Sequence, residues 1–278
     1  HINAQGIQGG QAEISGQISS QFLSSMLMTA PLADGPVTIK IKDELMSAPY
    51  VHMTMKLMRQ FGVTVTSEAD KVFTVMPGKY VSPGQYFVEG DASSASYFLA
   101  GGAIMGGPVT VYGCGSESVQ GDARFARVLE KMGATVEYTA SSITISRDPS
   151  TPLVGVDEDC GDIPDVAMTL AVLGAFATGK TTIRNVYNWR VKETERMVAM
   201  VNELTKLGVT VEEGRDFLIV HGKEKMNSGV EIETYDDHRV AMCFALAACA
   251  GVPVTILDPG CTSKTFPDYF AQLDKFTS

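Results

Sequence analysis

The sequence is short of paired cysteines and of positive charge. Its five cysteines are odd in number and none stands in a CxxC or CxxH pair, so neither a disulfide framework nor a zinc site is indicated. The 22 lysines and arginines against 32 aspartates and glutamates give a net charge of −10. This balance argues against a broad surface for nucleic acid or an anionic membrane. An anionic ligand would therefore need a local cluster of basic residues.

Long apolar runs and a signal-peptide pattern are also lacking. The longest apolar stretches, such as residues 166–177, fall short of the roughly 20 residues that a membrane span needs. The chain opens with the polar segment HINAQGIQGG, which does not match a signal peptide. With the unpaired cysteines, these features predict a cytoplasmic protein with no membrane partner. The first residue is His1 and not methionine, so we also expect that a segment which would precede it is missing from this chain.

What the sequence does contain is an internal repeat. Four strand-like segments follow one template: GPVTIKI, GPVTVYG, GKTTIRN and VPVTILD. Their aligned threonines lie 72, 72 and 73 residues apart, at Thr38, Thr110, Thr182 and Thr255. A constant period of this size indicates one structural unit used repeatedly.

The pattern around each repeated strand predicts an α/β (α+β) unit. A small-residue apolar stretch with Ser or Asp at its start, typical of a helix N-cap, precedes each strand. A second predicted helix follows, and the first three units close with Gly-Val-Thr-Val or a near copy and an alternating strand. One unit is therefore predicted as helix, strand, helix, strand, strand. The fourth unit reaches Ser278 without its closing strands, so we expect another segment to complete that sheet.

The Pro83-Gly84 turn predicts a domain boundary close behind it. We place the boundary at residues 88–91, which gives predicted domains of residues 1–89 and 90–278.

The segment RNVYNWRVKETER, residues 184–196, is a basic cluster within an acidic chain. It holds four basic and two acidic residues, namely Arg184, Arg190, Lys192, Arg196, Glu193 and Glu195. If a helix begins near Asn188, Lys192 and Arg196 share one face, where a bound phosphate or carboxylate would offset their repulsion. Glu193 could then act as a general acid or base. The alternative is a solvated helix face with alternating charge.

Four further segments place chemistry-bearing residues near predicted helix starts. Arg239 in DDHR and Lys264 in TSKTFP would add full charges where helix dipoles already favour an anion. His238 is either a site residue or a capping or packing histidine. Asp165 in IPDVAM is either an N-cap or a carboxylate that accepts a proton from a substrate hydroxyl. The segment SSQ at 19–21 suits a phosphate but equally a plain cap.

The segment GAFATGKT, residues 174–181, matches the Walker A pattern but is rejected as a nucleotide site. A phosphate-binding loop of that type follows a strand and opens a helix. Here the repeat predicts a helix before the motif and a strand after it.

Taken together, these segments resemble 5-enolpyruvylshikimate-3-phosphate synthase over the whole chain. Seven motifs stand in the order of that family, namely SSQF at 19–22, VEGDASSASYF at 88–98, QGD at 120–122, IPDVAMT at 163–169, NWRVKETER at 188–196, DHRVAMCF at 237–244 and TSKTFPDYF at 262–270. The resemblance implies an inverse α/β barrel-like enolpyruvyl transferase fold, built of six repeated units in two domains with the active site in the cleft between them. It also implies that this chain lacks an N-terminal part, whose strands would complete the last unit.

The resemblance implies transfer of the enolpyruvyl group of phosphoenolpyruvate to the 5-hydroxyl of shikimate 3-phosphate, in aromatic amino acid biosynthesis, with no metal or organic cofactor. It implies that Asp165 takes the hydroxyl proton and that Glu193 protonates the phosphoenolpyruvate methylene carbon, beside Lys192. The implied contacts of shikimate 3-phosphate are Ser19, Ser20, Gln21, Ser47, Tyr50, Asp165, Asn188 and Lys192. The implied contacts of phosphoenolpyruvate are Gln21, Lys192, Arg196, Arg239 and Lys264.

Because family segments that contribute to both substrate sites have no counterpart here, we expect little activity from the chain alone and a complementary N-terminal segment as a partner. Two alternatives stay open: the sister enzyme that transfers enolpyruvate to UDP-N-acetylglucosamine, and a non-catalytic fragment that binds phosphate ligands. Saturable binding without turnover would favour the second.

Overall fold

The computed structural model describes His1 and residues 6–277. It divides into two compact units, His1–Val88 and Glu89–Ser278. Among the described helices, none is both long and apolar enough to cross a membrane.

Over residues 6–88, the first unit is one four-stranded sheet with two helices. Its elements are β1 (Gly10–Ile14), α1 (Ser20–Thr29), β2 (Val37–Ile41), α2 (Ala48–Gln60), β3 (Val65–Glu68) and β4 (Val72–Val75). The strand order is β1-β2-β4-β3, with β1 parallel to β2 and the other pairs antiparallel. In β2, Ile39 and Ile41 are buried and Lys40 is exposed, as expected for a strand with one face on a core. Leu23, Leu27 and Phe73 lie in that core.

The second unit contains three short sheets and six helices. Its elements are α3 (Ala92–Met105), β5 (Val109–Tyr112), α4 (Phe125–Lys131), β6 (Thr135–Tyr138), β7 (Ser142–Ser146), β8 (Asp157–Asp159), α5 (Ala167–Ala175), β9 (Lys180–Arg184), α6 (Arg196–Lys206), β10 (Thr210–Glu213), β11 (Leu218–His221), β12 (Val230–Ile232), α7 (His238–Phe244), β13 (Val254–Ile256) and α8 (Tyr269–Thr277). The sheets have the orders β5-β7-β6, β10-β11-β9-β8 and β12-β13.

The core of the second unit is formed around α3 and α5. All nine residues of α5 are buried, since the helix is apolar on every side. The two helices are linked by a buried hydrogen bond of 2.9 Å between the hydroxyls of Ser96 and Thr169. A Cβ at Gly102 of α3 would lie 2.9 Å from the side chains of Val109 and Ile145, so a glycine is needed for the helix to approach its sheet. This rigid core carries the loops described below.

The predicted repeat is confirmed. Thr38, Thr110, Thr182 and Thr255 lie in β2, β5, β9 and β13, and each strand comes between an apolar helix and a second helix. The two closing strands follow in the first three units. In the fourth unit the sheet has two strands, β12 and β13, within residues 6–277.

A further strand at the start of the units was not predicted. In the first, third and fourth units, an additional strand runs parallel to the strand that carries the repeated threonine. The pairs are β1 with β2, β8 with β9 and β12 with β13. The latter two are only three residues long, with the sequences DED and VEI. DED has no apolar residue and VEI is too short for its alternation to stand out, so pairing with a neighbouring strand and not local preference determines them.

The helix-before-strand order at GAFATGKT is also confirmed. Gly174 lies in α5, and Lys180 and Thr181 begin β9. The segment therefore does not have the strand-loop-helix order of a nucleotide-binding loop.

Candidate active site

The starts of α5, α6 and α7 and the turn at residues 259–264 bring seven charged side chains of the second unit together. The set, here called the charged cluster, consists of Asp165, Lys192, Glu193, Arg196, Asp237, Arg239 and Lys264. Four cations face three carboxylates, which leaves a formal charge of +1 within a chain of net charge −10. The local basic cluster that an acidic chain would need for an anionic ligand is therefore present.

Arg196, the first residue of α6, lies at the centre of the charged cluster. Its side chain is only 1% exposed. Its Nε donates to Asp237 at 2.8 Å, its Nη1 to Asp165 at 3.0 Å and its Nη2 to Glu193 at 2.8 Å. A guanidinium can be buried only when its donors are paired, and here all three of its nitrogens donate to carboxylates. Arg196 thus fixes the relative positions of three segments that are far apart in sequence.

Asp165 accepts from two arginines. Beside its bond to Arg196, its second oxygen accepts from Arg239 Nη2 at 3.0 Å, and Lys192 Nζ lies 3.9 Å from the first. Burial by itself raises the pKa of the Asp165 carboxyl, but the charges of Arg239, Lys192 and Arg196 outweigh it and hold the pKa well below its usual range. Asp165 is therefore an ionised acceptor in the absence of ligand.

Glu193 bridges Arg196 and Lys264. Lys264 Nζ donates to Glu193 Oε1 at 2.5 Å, and the Lys264 side chain is 54% exposed. Partial burial raises the pKa of Glu193, whereas the bond from Lys264 and the charge of Arg196 lower it more strongly, to about 2. Without ligand, Glu193 is therefore a carboxylate and not an acid.

Two of the local expectations for these residues are wrong. Asp165 does not cap α5, because its carboxylate is engaged by the arginines and no side chain caps that helix. Lys192 and Arg196 do not share a helix face, because residues 187–191 form a 3₁₀ turn, Lys192 is extended and Glu195 caps α6 at Val198 N. Asn188 is buried in that turn.

The single tryptophan supports the turn beneath Lys192. Trp189 is fully buried, and its Nε1 donates to the carbonyl oxygen of Pro164 at 2.7 Å. This bond ties the 187–191 segment to the residue before Asp165. The fluorescence of Trp189 therefore reports on the two loops that carry Asp165 and Lys192.

His238 is buried beside the charged cluster but does not cap its helix. The cap of α7 is Asp237, whose Oδ1 accepts from Arg239 N at 2.9 Å. Neither ring nitrogen of His238 has a hydrogen-bond partner among the residues that the structure describes. Burial and then the neighbouring charge of Arg239 lower the pKa of His238, so the ring is neutral at pH 7.

The other basic residues of the 184–196 segment do not join the charged cluster. Arg184 pairs with Asp157 on the adjacent strand. Arg190 donates to Glu195 and Glu213, and these bonds hold the turn to β10. Asp237 was not assigned a role from the sequence. An aspartate before His-Arg at a helix start indicates that Asp237 caps α7. Nothing in the local sequence indicates its bond to Arg196.

In the first unit, the predicted substrate residues lie at the starts of its two helices. Ser19 caps α1 by accepting from Gln21 N at 3.2 Å, and Ser20 is buried. Ser47 precedes α2 with a left-handed φ of 58°, and its carbonyl accepts from Tyr50 N at 3.1 Å. The two helices pack together, with Thr54 Oγ1 donating to Ser24 at 3.0 Å.

Comparison with known proteins identifies the family. The family model described as EPSP synthase (3-phosphoshikimate 1-carboxyvinyltransferase) matches residues 1–273. The chain belongs to the EPSP synthase family. Its mixed α/β units have the enolpyruvyl transferase fold of that family, so the expected fold class and the resemblance are both confirmed.

Similar proteins in the EPSP synthase family come from plants and bacteria. The chain is 57% identical over 283 residues to the chloroplastic 3-phosphoshikimate 1-carboxyvinyltransferase of Solanum lycopersicum, a match that covers 99% of this chain and 54% of that protein. The enzyme of the same name from Shewanella loihica is 57% identical over 272 residues, covering 98% and 63%. The solved EPSP synthase of Acinetobacter baumannii superposes with a TM-score of 0.78 at 26% identity, covering 96% and 62%. The chain thus spans about half the length of the plant relatives it matches.

Proposed function

We propose that the protein is a 3-phosphoshikimate 1-carboxyvinyltransferase, with shikimate 3-phosphate and phosphoenolpyruvate as its substrates. The observation that carries the proposal is the charged cluster centred on Arg196, where two carboxylates of lowered pKa lie among four cations. The names of relatives at 57% identity support the same reaction.

The anionic groups of phosphoenolpyruvate fit the cationic part of the charged cluster. Lys264 is half exposed, and Arg239 and Lys192 are partly buried. We assign the phosphate and carboxylate of phosphoenolpyruvate to Lys192, Arg196, Arg239 and Lys264, since arginine binds such groups through two parallel hydrogen bonds. The same cations would stabilise the charge that develops as phosphate leaves. In the first unit, we assign Gln21 to phosphoenolpyruvate as well.

Shikimate 3-phosphate is assigned to polar residues at helix starts. In the first unit these are Ser19, Ser20, Gln21, Ser47 and Tyr50, at helix N-termini whose positive dipole ends favour a phosphate. In the second unit, Asn188, Lys192 and Asp165 are assigned to the same substrate.

The proposed reaction is an addition followed by an elimination. Asp165 accepts the proton of the 5-hydroxyl of shikimate 3-phosphate. As it does so, the oxygen of that hydroxyl bonds to C2 of phosphoenolpyruvate, while Glu193 donates a proton to C3. The C2–O bond to phosphate then breaks as Glu193 takes back a proton from C3, which restores the double bond as an enol ether. The proton held by Asp165 leaves with the departing phosphate, so both carboxyl groups return to their starting states. General acid and base residues of this kind contribute about 10²- to 10⁴-fold each.

The low pKa of Glu193 defines a condition for this mechanism. A group with a pKa of about 2 is ionised at pH 7 and cannot donate a proton. A bound phosphate would compete for Lys264 and Arg196, the two cations that lower this pKa, and the remaining burial would raise it. We therefore propose that phosphoenolpyruvate binding itself converts Glu193 into the acid.

The test is release of inorganic phosphate from phosphoenolpyruvate by this chain, with and without shikimate 3-phosphate. The proposal predicts release that depends on shikimate 3-phosphate and falls at least 10-fold in Lys264→Ala, which loses a charge-assisted bond. Lys225→Ala, an exposed lysine outside the charged cluster, is the matched control. Because little activity is expected of the chain alone, the assay is repeated with an N-terminal segment of the family added. Saturable binding of both substrates without release in that mixture would overturn the transferase proposal in favour of a binding role. Failure to bind either substrate would overturn the site as well.

A further inference from the structure

The turn that leads into Asp237 has an unusual backbone. Tyr235 and Asp236 both have a φ of 55°, so two consecutive residues other than glycine lie in the left-handed region. Residues with a Cβ rarely adopt this conformation, and it persists only where surrounding contacts determine it. The turn is closed by a hydrogen bond of 2.8 Å from Asp237 N to Thr234 O. Because Asp237 and Arg239 follow at once, the turn sets their position.

A buried carboxylate on α6 holds this turn. Glu203 is fully buried, and its Oε1 accepts from the hydroxyl of Tyr235 at 2.8 Å. Its Oε2 accepts from Glu233 N at 3.2 Å and lies 2.8 Å from Lys206 Nζ. The residues on both sides of Thr234, namely Glu233 and Tyr235, therefore donate hydrogen bonds to the Glu203 carboxylate.

Tyr235 remains a donor at neutral pH. Burial raises the pKa of its hydroxyl; the bond from Asn202 lowers that pKa, while the bond to Glu203 raises it further, and the net shift is upward. The hydroxyl proton is thus available to Glu203 at all pH values at which the protein would be assayed.

Helix α6 attaches to the same segment at two points. Arg196 and Glu203 are seven residues apart, which is about two helical turns and places them on one face. Arg196 holds Asp237, while Glu203 holds Tyr235 and Glu233. The helix therefore acts as a template for residues 233–239, and along this path Arg239 reaches Asp165 at 3.0 Å.

We propose that Glu203 and Tyr235 are positioning residues for the anion site: by holding the left-handed turn at residues 235–236, they place Asp237 against Arg196 and Arg239 against Asp165. Neither residue touches the bound anion. The identity of that anion rests on the proposed function, but the positioning of the arginines does not.

The test is Tyr235→Phe, which removes one hydroxyl and keeps the ring. Tyr112→Phe is the matched control, because Tyr112 is 78% exposed on β5 of the same unit. The first readout is the Nε–H signal of Arg196 in a ¹⁵N spectrum, assigned by its loss in Arg196→Lys. The second is the affinity for inorganic phosphate, measured by titration calorimetry. We expect Tyr235→Phe to shift the Arg196 signal and to weaken phosphate binding about 5- to 10-fold. This is less than the roughly 13- to 160-fold worth of one hydrogen bond to a charged group, because the lost bond acts on the anion only through the turn. Tyr112→Phe should change neither.

A second variant separates positioning from general destabilisation. Glu203→Gln keeps the size of the side chain and one carbonyl acceptor, so it should shift the Arg196 signal in the same direction and weaken phosphate binding, although one of the two bonds to the turn survives. A merely structural role would lower the unfolding midpoint of both variants and leave the Arg196 signal and phosphate affinity of the folded protein as in the wild type, which would overturn the inference. If the wild type binds no phosphate, the proposed function fails, and the Arg196 signal still decides the inference.

Discussion

At the scale of single residues, the charged cluster combines cations with their own internal counter-ions. Glu193, one of the carboxylates that lower the electrostatic cost of burying Arg196, also pairs with Lys264, a cation that an anionic ligand would use. Ligand affinity and the ionisation of Glu193 are therefore linked. This linkage leads to one prediction about the variant Glu193→Gln and to another about the pH dependence of stability.

The first prediction concerns Glu193→Gln. The variant removes the internal counter-ion of Lys264 and one of those of Arg196, so phosphate should bind several-fold more tightly. Phosphate release from phosphoenolpyruvate should nevertheless fall about 10²- to 10⁴-fold, because the proton donor is lost. Calorimetry and the release assay measure the two effects.

The control for this variant is Glu212→Gln, an exposed carboxylate paired with His221 on the surface of β10 and β11. It should alter neither quantity. Weaker phosphate binding in Glu193→Gln would show that Glu193 organises the cations and does not compete with the ligand.

The second prediction is the pH dependence of stability. The folded pKa of Glu193 is about 2 and its ordinary value is 4.5, so the unfolded chain binds more protons between these limits. The contribution of Glu193 is therefore complete above about pH 4.5 and is lost as the pH falls towards 2. Asp165, whose pKa is also lowered, acts in the same direction.

Urea unfolding followed by Trp189 fluorescence between pH 3 and pH 6 measures this effect. The stability difference between wild type and Glu193→Gln should shrink as the pH falls. A difference that stays constant over this range would contradict the ionised state of Glu193 in the folded protein.

At the scale of elements, helix starts serve both stability and binding. Ser19 caps α1 through Gln21 N, and we propose that it also contacts shikimate 3-phosphate. These two roles can be separated, because asparagine caps a helix about as well as serine while alanine does not.

The third prediction compares Ser19→Ala with Ser19→Asn. Ser19→Ala should reduce the free energy of unfolding by about 1 kcal/mol, and Ser19→Asn should change it by only a few tenths. Both should weaken binding of shikimate 3-phosphate, the first by losing the hydroxyl and the second by the bulk of its amide. Unfolding curves and calorimetry supply the two measurements. Unchanged binding in Ser19→Asn would restrict Ser19 to capping.

Elements whose signal is local could be predicted from the sequence. The apolar stretches that become α3 and α5 carry capping residues or long buried faces, and the β2, β5 and β9 strands recur at a fixed period. Their positions follow from local pattern alone. Lys192, Glu193 and Arg196 were singled out because basic residues concentrated at 184–196 are conspicuous in an acidic chain, and these three lie in the charged cluster. Their roles in binding and catalysis stay predictions.

Features set by tertiary contacts could not be predicted. The strand β8, with the sequence DED, exists because β9 lies beside it. Asp165 follows a proline at a helix start, where an N-cap is the ordinary local role. Its carboxylate instead accepts hydrogen bonds from two arginines, one on α6 and one on α7. The left-handed turn at Tyr235 depends on Glu203, which is 32 residues away in sequence. In each case the deciding partner is distant along the chain.

At the scale of the whole molecule, the two units have cores of very different size. Residues 1–88 enclose a small core around Leu27, Ile39 and Phe73. Residues 89–278 enclose a much larger one that includes α3 and α5. Because the buried fraction of the surface rises with the size of a core, the second unit should be the more stable.

The fourth prediction is that the chain unfolds with midpoints that depend on the probe. The single tryptophan, Trp189, is buried in the second unit and reports only on that unit, whereas far-ultraviolet circular dichroism reports on both. In a urea titration, the dichroism signal should begin to fall at a lower concentration than the fluorescence signal, since a two-state transition would make them coincide.

Added phosphate sharpens this prediction, because a ligand stabilises only the unit that binds it. At a free phosphate concentration about 100 times its Kd, the fluorescence transition should gain about 2.7 kcal/mol. Arg239→Ala, which removes one cation of the site, is the control and should reduce that gain. The early part of the dichroism transition should shift much less if phosphate binds mainly at the charged cluster. Coincident curves that shift together would show that the two units unfold as one.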